Sequence, residues 1–173
     1  MVAFEDEFPG GSWLSTRVVR ELEVVGANTE ALVASVARRY GLSHVALNVL
    51  AVIEGNGGPL PAGTVGARVH VTSGTMTSVL DTLERNGYIE RLADPGDRRR
   101  VLVEVTREAQ ALLDRALPDV ARTAAALLEG FDDGELQAFR STLARINEAI
   151  ASLPEDAGTP IVRRTPPGLK RTT

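Results

Sequence analysis

The sequence contains no cysteine. That removes disulfides, thiolate metal sites and cysteine-based redox sensing together. Lysine occurs once, at Lys170, and histidine twice, at His44 and His70, too few for a His-rich metal site within one chain. There is no Gly-rich phosphate loop, no cluster of metal-ligand side chains and no nucleophile with a plausible base, so neither an enzyme nor a metal or other cofactor is expected. No apolar run approaches the roughly 20 residues of a membrane helix. The first ten residues are acidic and lack the basic start and apolar core of a secretory signal. The expectation is a cytoplasmic protein with no membrane partner.

What remains is a 173-residue chain, 43 % hydrophobic and 24 % charged, long enough for one domain with appendages. Its net charge of −4 argues weakly against a nucleic-acid partner, but the distribution is uneven. Acid gathers at Glu5, Asp6 and Glu7, whereas Arg98, Arg99 and Arg100 form a basic knot.

Residues 1–12 read as a flexible arm. From about residue 15 to 40, Val18, Leu22, Val25, Thr29, Leu32 and Val36 repeat at spacings of four and three, a seam for packing against other helices, in the same chain or in a second copy. Ser43 is placed to cap a second helix that is apolar round most of its circumference and therefore buried. After the break at residues 55–59 the pattern predicts a short helix from Pro61, a tight turn at 70–72, and a helix capped by Thr72 or Ser73 and stopped at Asn86-Gly87. Residues 88–92 and 101–105 alternate as two half-buried strands joined by a turn-rich, charged tip, which is a β-hairpin. Helical spacing returns from residue 107 to 129, with Pro118 expected to kink or break it. A capping box at Asp132–Glu135 opens a last helix striped by Leu136, Phe139, Leu143, Ile146 and Ile150. Residues 154–173 are rich in Pro, Gly and Thr, with four basic side chains, and predict a disordered basic tail.

The order helix, tight turn, helix, strand, charged tip, strand carries the function. On the helix over 73–86, Met76, Val79, Leu80 and Leu83 form the buried stripe. Thr72, Ser73, Gly74, Thr75, Thr77, Ser78 and Arg85 lie elsewhere on it. Small hydroxyl residues at a helix N-terminus allow close approach to a major groove and can donate to phosphates or bases, and the positive end of the helix dipole aims the same way. Three consecutive arginines on an exposed turn repel one another and call for an anionic partner, and arginine inserted in a minor groove exploits its negative potential. Asp97 is placed to orient Arg99. Arg91, Asp97, Arg98, Arg99 and Arg100 are the wing candidates.

From Leu42 to about Ile150 the chain resembles the MarR family of bacterial transcriptional regulators. The resemblance is carried by Val71-Thr72-Ser73-Gly74-Thr75-Met76-Thr77, by Leu83-Glu84-Arg85-Asn86-Gly87-Tyr88-Ile89-Glu90-Arg91, and by Asp94-Pro95-Gly96-Asp97-Arg98-Arg99 through Val105-Thr106. It implies an obligate homodimer, two recognition helices on a pseudo-palindromic operator, Arg99 in the minor groove, and release by a small aromatic acid bound between the DNA-binding lobe and the dimerisation helices. His44, Leu47 and Asn48, on the buried second helix, are the ligand-binding candidates. The sequence departs from the family at Ser78 and Thr82, where arginine or lysine is common, so phosphate contacts on the helix should be few and the salt dependence shallow.

The reading that results is a chain mainly α with a small β-hairpin (α+β): a winged helix-turn-helix DNA-binding lobe at 42–106 plus long dimerisation helices at 13–41 and 107–153. Its function would be that of a homodimeric, ligand-responsive repressor that binds double-stranded DNA through helix 73–86 and wing 93–100. A winged helix used for protein contacts without DNA is the alternative, favoured by the net negative charge and the sparsely basic helix.

Overall fold

The computed structural model describes residues 10–97 and 100–154. The expected arm falls mostly, and the expected basic tail almost wholly, outside them. Among the described residues, six helices and three short strands follow in the order α1 (Trp13–Arg39), α2 (His44–Glu54), β1 (Leu60–Pro61), α3 (Ala62–Val69), α4 (Ser73–Arg85), β2 (Ile89–Ala93), β3 (Val101–Val105), α5 (Arg107–Leu127) and α6 (Asp133–Ser152). The described residues fall into two compact units, one within residues 28–128 and one drawn from residues 10–27 and 129–154.

The 28–128 unit holds the core. Val49, Leu50 and Ile53 of α2 are almost fully buried, together with Val65 of α3, Met76, Leu80 and Leu83 of α4, Ile89 and Val103 of the sheet, and Leu112, Leu113 and Ala116 of α5. Burying each of the larger side chains is worth roughly 1.5–3 kcal/mol. The α4 stripe predicted from spacing is therefore the inward face, and α2 is buried as its composition requires.

Helix ends are set by local chemistry. The Ser43 side chain accepts from the Ala46 amide, Thr72 from Thr75 and Thr106 from Ala109. At the far end of α4, the Tyr88 amide donates to the Leu83 carbonyl and the Gly87 amide to Glu84, both at 2.9 Å. This pair of hydrogen bonds needs a left-handed residue at Gly87, whose φ is +73°.

Two expectations change. The sheet has three strands, not a hairpin alone: Leu60 pairs with Val103 and Pro61 with Leu102, so β3 is central in the order β1-β3-β2. Two residues cannot show a period of two, and proline, with no ladder donor, is tolerated because β1 is an edge. Helix α5 also runs through Pro118 without a break. Proline removes the donor to the Asp114 carbonyl. One residue on, the Arg115 carbonyl lies 2.9 Å from the Tyr40 hydroxyl.

In the other unit, α6 opens with the predicted capping box, in which Asp132 Oδ1 accepts from the Glu135 amide and Glu135 Oε2 from the Asp132 amide, at 2.8 and 2.9 Å. Helix α6 has no buried residue, and Phe139 and Ile150 are more than half exposed. On α1, Trp13, Leu14, Val19, Val24 and Val25 are likewise more than half exposed. No described helix is long and apolar enough to cross a membrane.

Candidate nucleic-acid interface

Helix α4 presents its N-terminal turns to solvent. Thr72, Ser73, Gly74, Thr75, Thr77 and Ser78 are all exposed, while Met76 between them is buried. The three threonine hydroxyls are held locally. Thr72 Oγ1 accepts from the Thr75 amide and lies 3.0 Å from Thr75 Oγ1, and Thr77 Oγ1 donates to the Ser73 carbonyl. A Cβ added at Gly74 would meet nothing within 4 Å, so nothing in the fold demands glycine there. The helix enters this face from a turn in which His70 takes the left-handed conformation at φ 56°, an uncommon choice for a residue other than glycine.

Farther along α4, Thr82 Oγ1 donates to the Ser78 carbonyl and lies 3.4 Å from Arg85. Asp81 and Glu84 follow on exposed positions. Their partner is Arg91 of β2, whose Nη2 donates to Asp81 Oδ1 at 2.6 Å and whose Nη1 donates to Glu84 Oε2 at 2.8 Å. Arg91 therefore lies at the junction of helix and wing, with its fork spent on two carboxylates.

The wing leaves β2 through a turn framed by Asp94. The Gly96 amide donates to Asp94 Oδ1 at 2.8 Å, the Arg100 amide donates to the Asp97 carbonyl at 2.9 Å, and Arg100 Nε lies 3.7 Å from Asp94 Oδ2. Asp97 and Arg100 are exposed. Arg98 and Arg99 lie outside the described residues. The wing is anchored at its base by Thr106, whose hydroxyl donates to the Gly87 carbonyl at 2.7 Å and accepts from the Ala109 amide. One side chain thus ties the end of α4 to the start of α5.

The chain is similar to known proteins across this region. A profile of the MarR family matches residues 40–100. The HTH-type transcriptional regulator PecS of Dickeya dadantii (strain 3937) is 30 % identical over 117 residues, covering 66 % of this chain and 70 % of that protein. The chain belongs to the MarR family.

The HTH-type transcriptional repressor YetL of Bacillus subtilis (strain 168) is 32 % identical over 84 residues, 49 % of this chain; the chain spans half of YetL's length. The structure of a mutant MarR from E. coli complexed with operator DNA superimposes with a TM-score of 0.69, over 84 % of this chain and 99 % of that one, at 20 % identity. The fold is thus the MarR winged helix, and the protein is a MarR-family transcriptional regulator.

The residues read as ligand contacts fall in two environments. Leu47 is 2 % exposed and belongs to the core, because α2 is the helix around which the unit packs. His44 and Asn48 are half-buried, with the Asn48 amide 2.9 Å from His44 Nε2, and His44 Nδ1 lies 3.9 Å from Glu30. None of the three lines the open hollow of about 490 Å³ bounded by Leu32, Arg39, Asp119, Arg122, Thr123, Ala126 and Leu127. There the Tyr40 hydroxyl donates to Asp119 Oδ2 at 2.7 Å, Arg39 lies 3.4 Å from the same oxygen, and Arg122 pairs with the other. The Tyr40 hydrogen bond, then the two guanidiniums, hold the Asp119 carboxyl below its ordinary value. The same bond to Asp119 raises the Tyr40 phenol. The spacing of these residues gave no signal of the cluster, nor of Asp81 and Glu84 as partners of Arg91.

Proposed function

We propose that the protein is a homodimeric repressor that binds a pseudo-palindromic operator in duplex DNA and is released by a small aromatic effector. The observation that carries the DNA reading is the exposed N-terminal face of α4: six small residues, five with hydroxyls, with no fold-imposed need for Gly74. In this reading Thr72, Ser73, Gly74, Thr75, Thr77 and Ser78 approach base edges and phosphates, Arg85 a phosphate, and the wing with Asp97, Arg98, Arg99 and Arg100 the neighbouring minor groove. YetL's name as a repressor supports the sign of regulation. The large apolar side chains exposed on α1 and α6 support dimerisation, because apolar side chains spaced along one stripe of a helix call for a partner. Two arginines against the single carboxylate of Asp119, beside apolar Leu32, Ala126 and Leu127, leave the hollow a net positive charge suited to an aromatic carboxylate.

Selection of random-sequence duplexes with the purified protein tests this. The expected outcome is enrichment of one inverted repeat with half-sites about one DNA turn apart. Recovery of no sequence above the starting pool would overturn it.

A further inference from the structure

Arg91 stands in the stretch of sequence from which wing arginines are expected to reach DNA, yet its geometry points inward. Strand β2 begins with Ile89, 2 % exposed, and side chains two residues apart share a strand face. Arg91 continues that inward face toward α4, its side chain 30 % exposed. Each terminal nitrogen meets a different carboxylate of the helix, Asp81 at 2.6 Å and Glu84 at 2.8 Å. A planar guanidinium holding two acceptors fixes direction as well as distance. The β2 backbone is meanwhile laddered to β3, with Arg91 opposite Val103. The wing is therefore gripped through its ladder on one side and through this fork on the other.

The charges matter as well. Asp81 lies three and four residues beyond Ser78 and Thr77, on the same helix face. Unpaired carboxylates there would stand close to a DNA backbone and repel it. Arg91 neutralises one of the two charges and holds both in place.

We propose that Arg91 is a positioning residue and not a DNA contact: by clamping β2 to Asp81 and Glu84 it sets the angle between the reading helix and the wing, and so the protein's discrimination between sequences. The proposal rests on the DNA-binding reading above.

The test compares affinity for the duplex selected by the wild-type protein with affinity for a scrambled duplex of equal length, across a salt series. Arg91→Gln is expected to lower the ratio of the two affinities by about tenfold, over and above a uniform weakening on both duplexes as Asp81 and Glu84 lose their counter-charge. Asp81→Asn combined with Glu84→Gln removes the same clamp with the opposite change in charge and is expected to lower the ratio likewise. The triple variant should be no worse than either. Two results would overturn the proposal: an unchanged ratio, or equal weakening on both duplexes with a slope shallower by about 0.9, the mark of one lost phosphate contact. Thermal melting of the variants reports whether the fold survives. Should the wild-type protein prefer no duplex, the DNA reading fails, and amide hydrogen exchange in Ile89–Ala93 decides the clamp alone. Faster exchange there in Arg91→Gln, with the core amides unchanged, supports it; unchanged exchange rejects it.

Discussion

Tyr40 and Asp119 stand 79 residues apart in sequence and 2.7 Å apart in space. Their hydrogen bond favours ionised Asp119 and neutral Tyr40, and the two effects oppose pH change from both sides. Asp119, held below its ordinary 3.8, contributes stability that is full above that value and lost as pH falls through the lowered one. Tyr40, raised above 10.0, contributes stability that is full below that value and lost as pH climbs through the raised one. Tyr40→Phe should therefore be less stable than wild type at neutral pH, with the gap narrowing at both extremes. Denaturant unfolding followed by circular dichroism from pH 2 to 11 measures it; a gap constant across the range would contradict the mechanism. The cluster was invisible in sequence because nothing local relates position 40 to position 119. The caps at Ser43 and Thr72 were visible because a cap is a short-range event: a side-chain oxygen three residues from the amide it accepts.

At the scale of elements, the boundaries followed from signals of the same short range. The capping box at Asp132 and the stop at Asn86-Gly87 are local hydrogen-bonding problems with few solutions. Because α6 is amphipathic yet buries nothing among the described residues, its stability leans on such local terms. Asp132→Ala should cost about 1 kcal/mol in thermal unfolding, as loss of an N-cap does; no change in melting temperature would show that the box is dispensable. Elements settled by tertiary contact were harder to read. The two-residue β1 exists only because β3 offers it a ladder. Pro118 reads in isolation as a kink or a break, and α5 continues through it without a break. On the wing, the same arginine-rich sequence suggests that every guanidinium reaches outward, whereas Arg91 sits on the strand face that begins with buried Ile89.

For the whole molecule, the stripes read on the first and last helices are apolar as spacing suggested, but spacing could not say what covers them. Val18, Val25, Phe139 and Ile150 are all exposed in a single chain. Under the proposed dimer, Phe139→Glu with Ile150→Glu should give a monomer close to 18.4 kDa by sedimentation equilibrium, where wild type gives twice that mass. A wild-type protein that sediments as one chain would exclude the dimer. The doubly substituted protein should keep the 28–128 fold, whose core contains neither residue.

The chain has a single tryptophan, Trp13, which opens α1 with 57 % of its surface in solvent. Indole emission depends on the polarity around the ring, so the protein carries one optical signal with one origin, at the start of a helix expected to be covered in the assembly. Dilution through the dissociation range should move that emission to longer wavelength, and its midpoint would report the dimer constant without any added label.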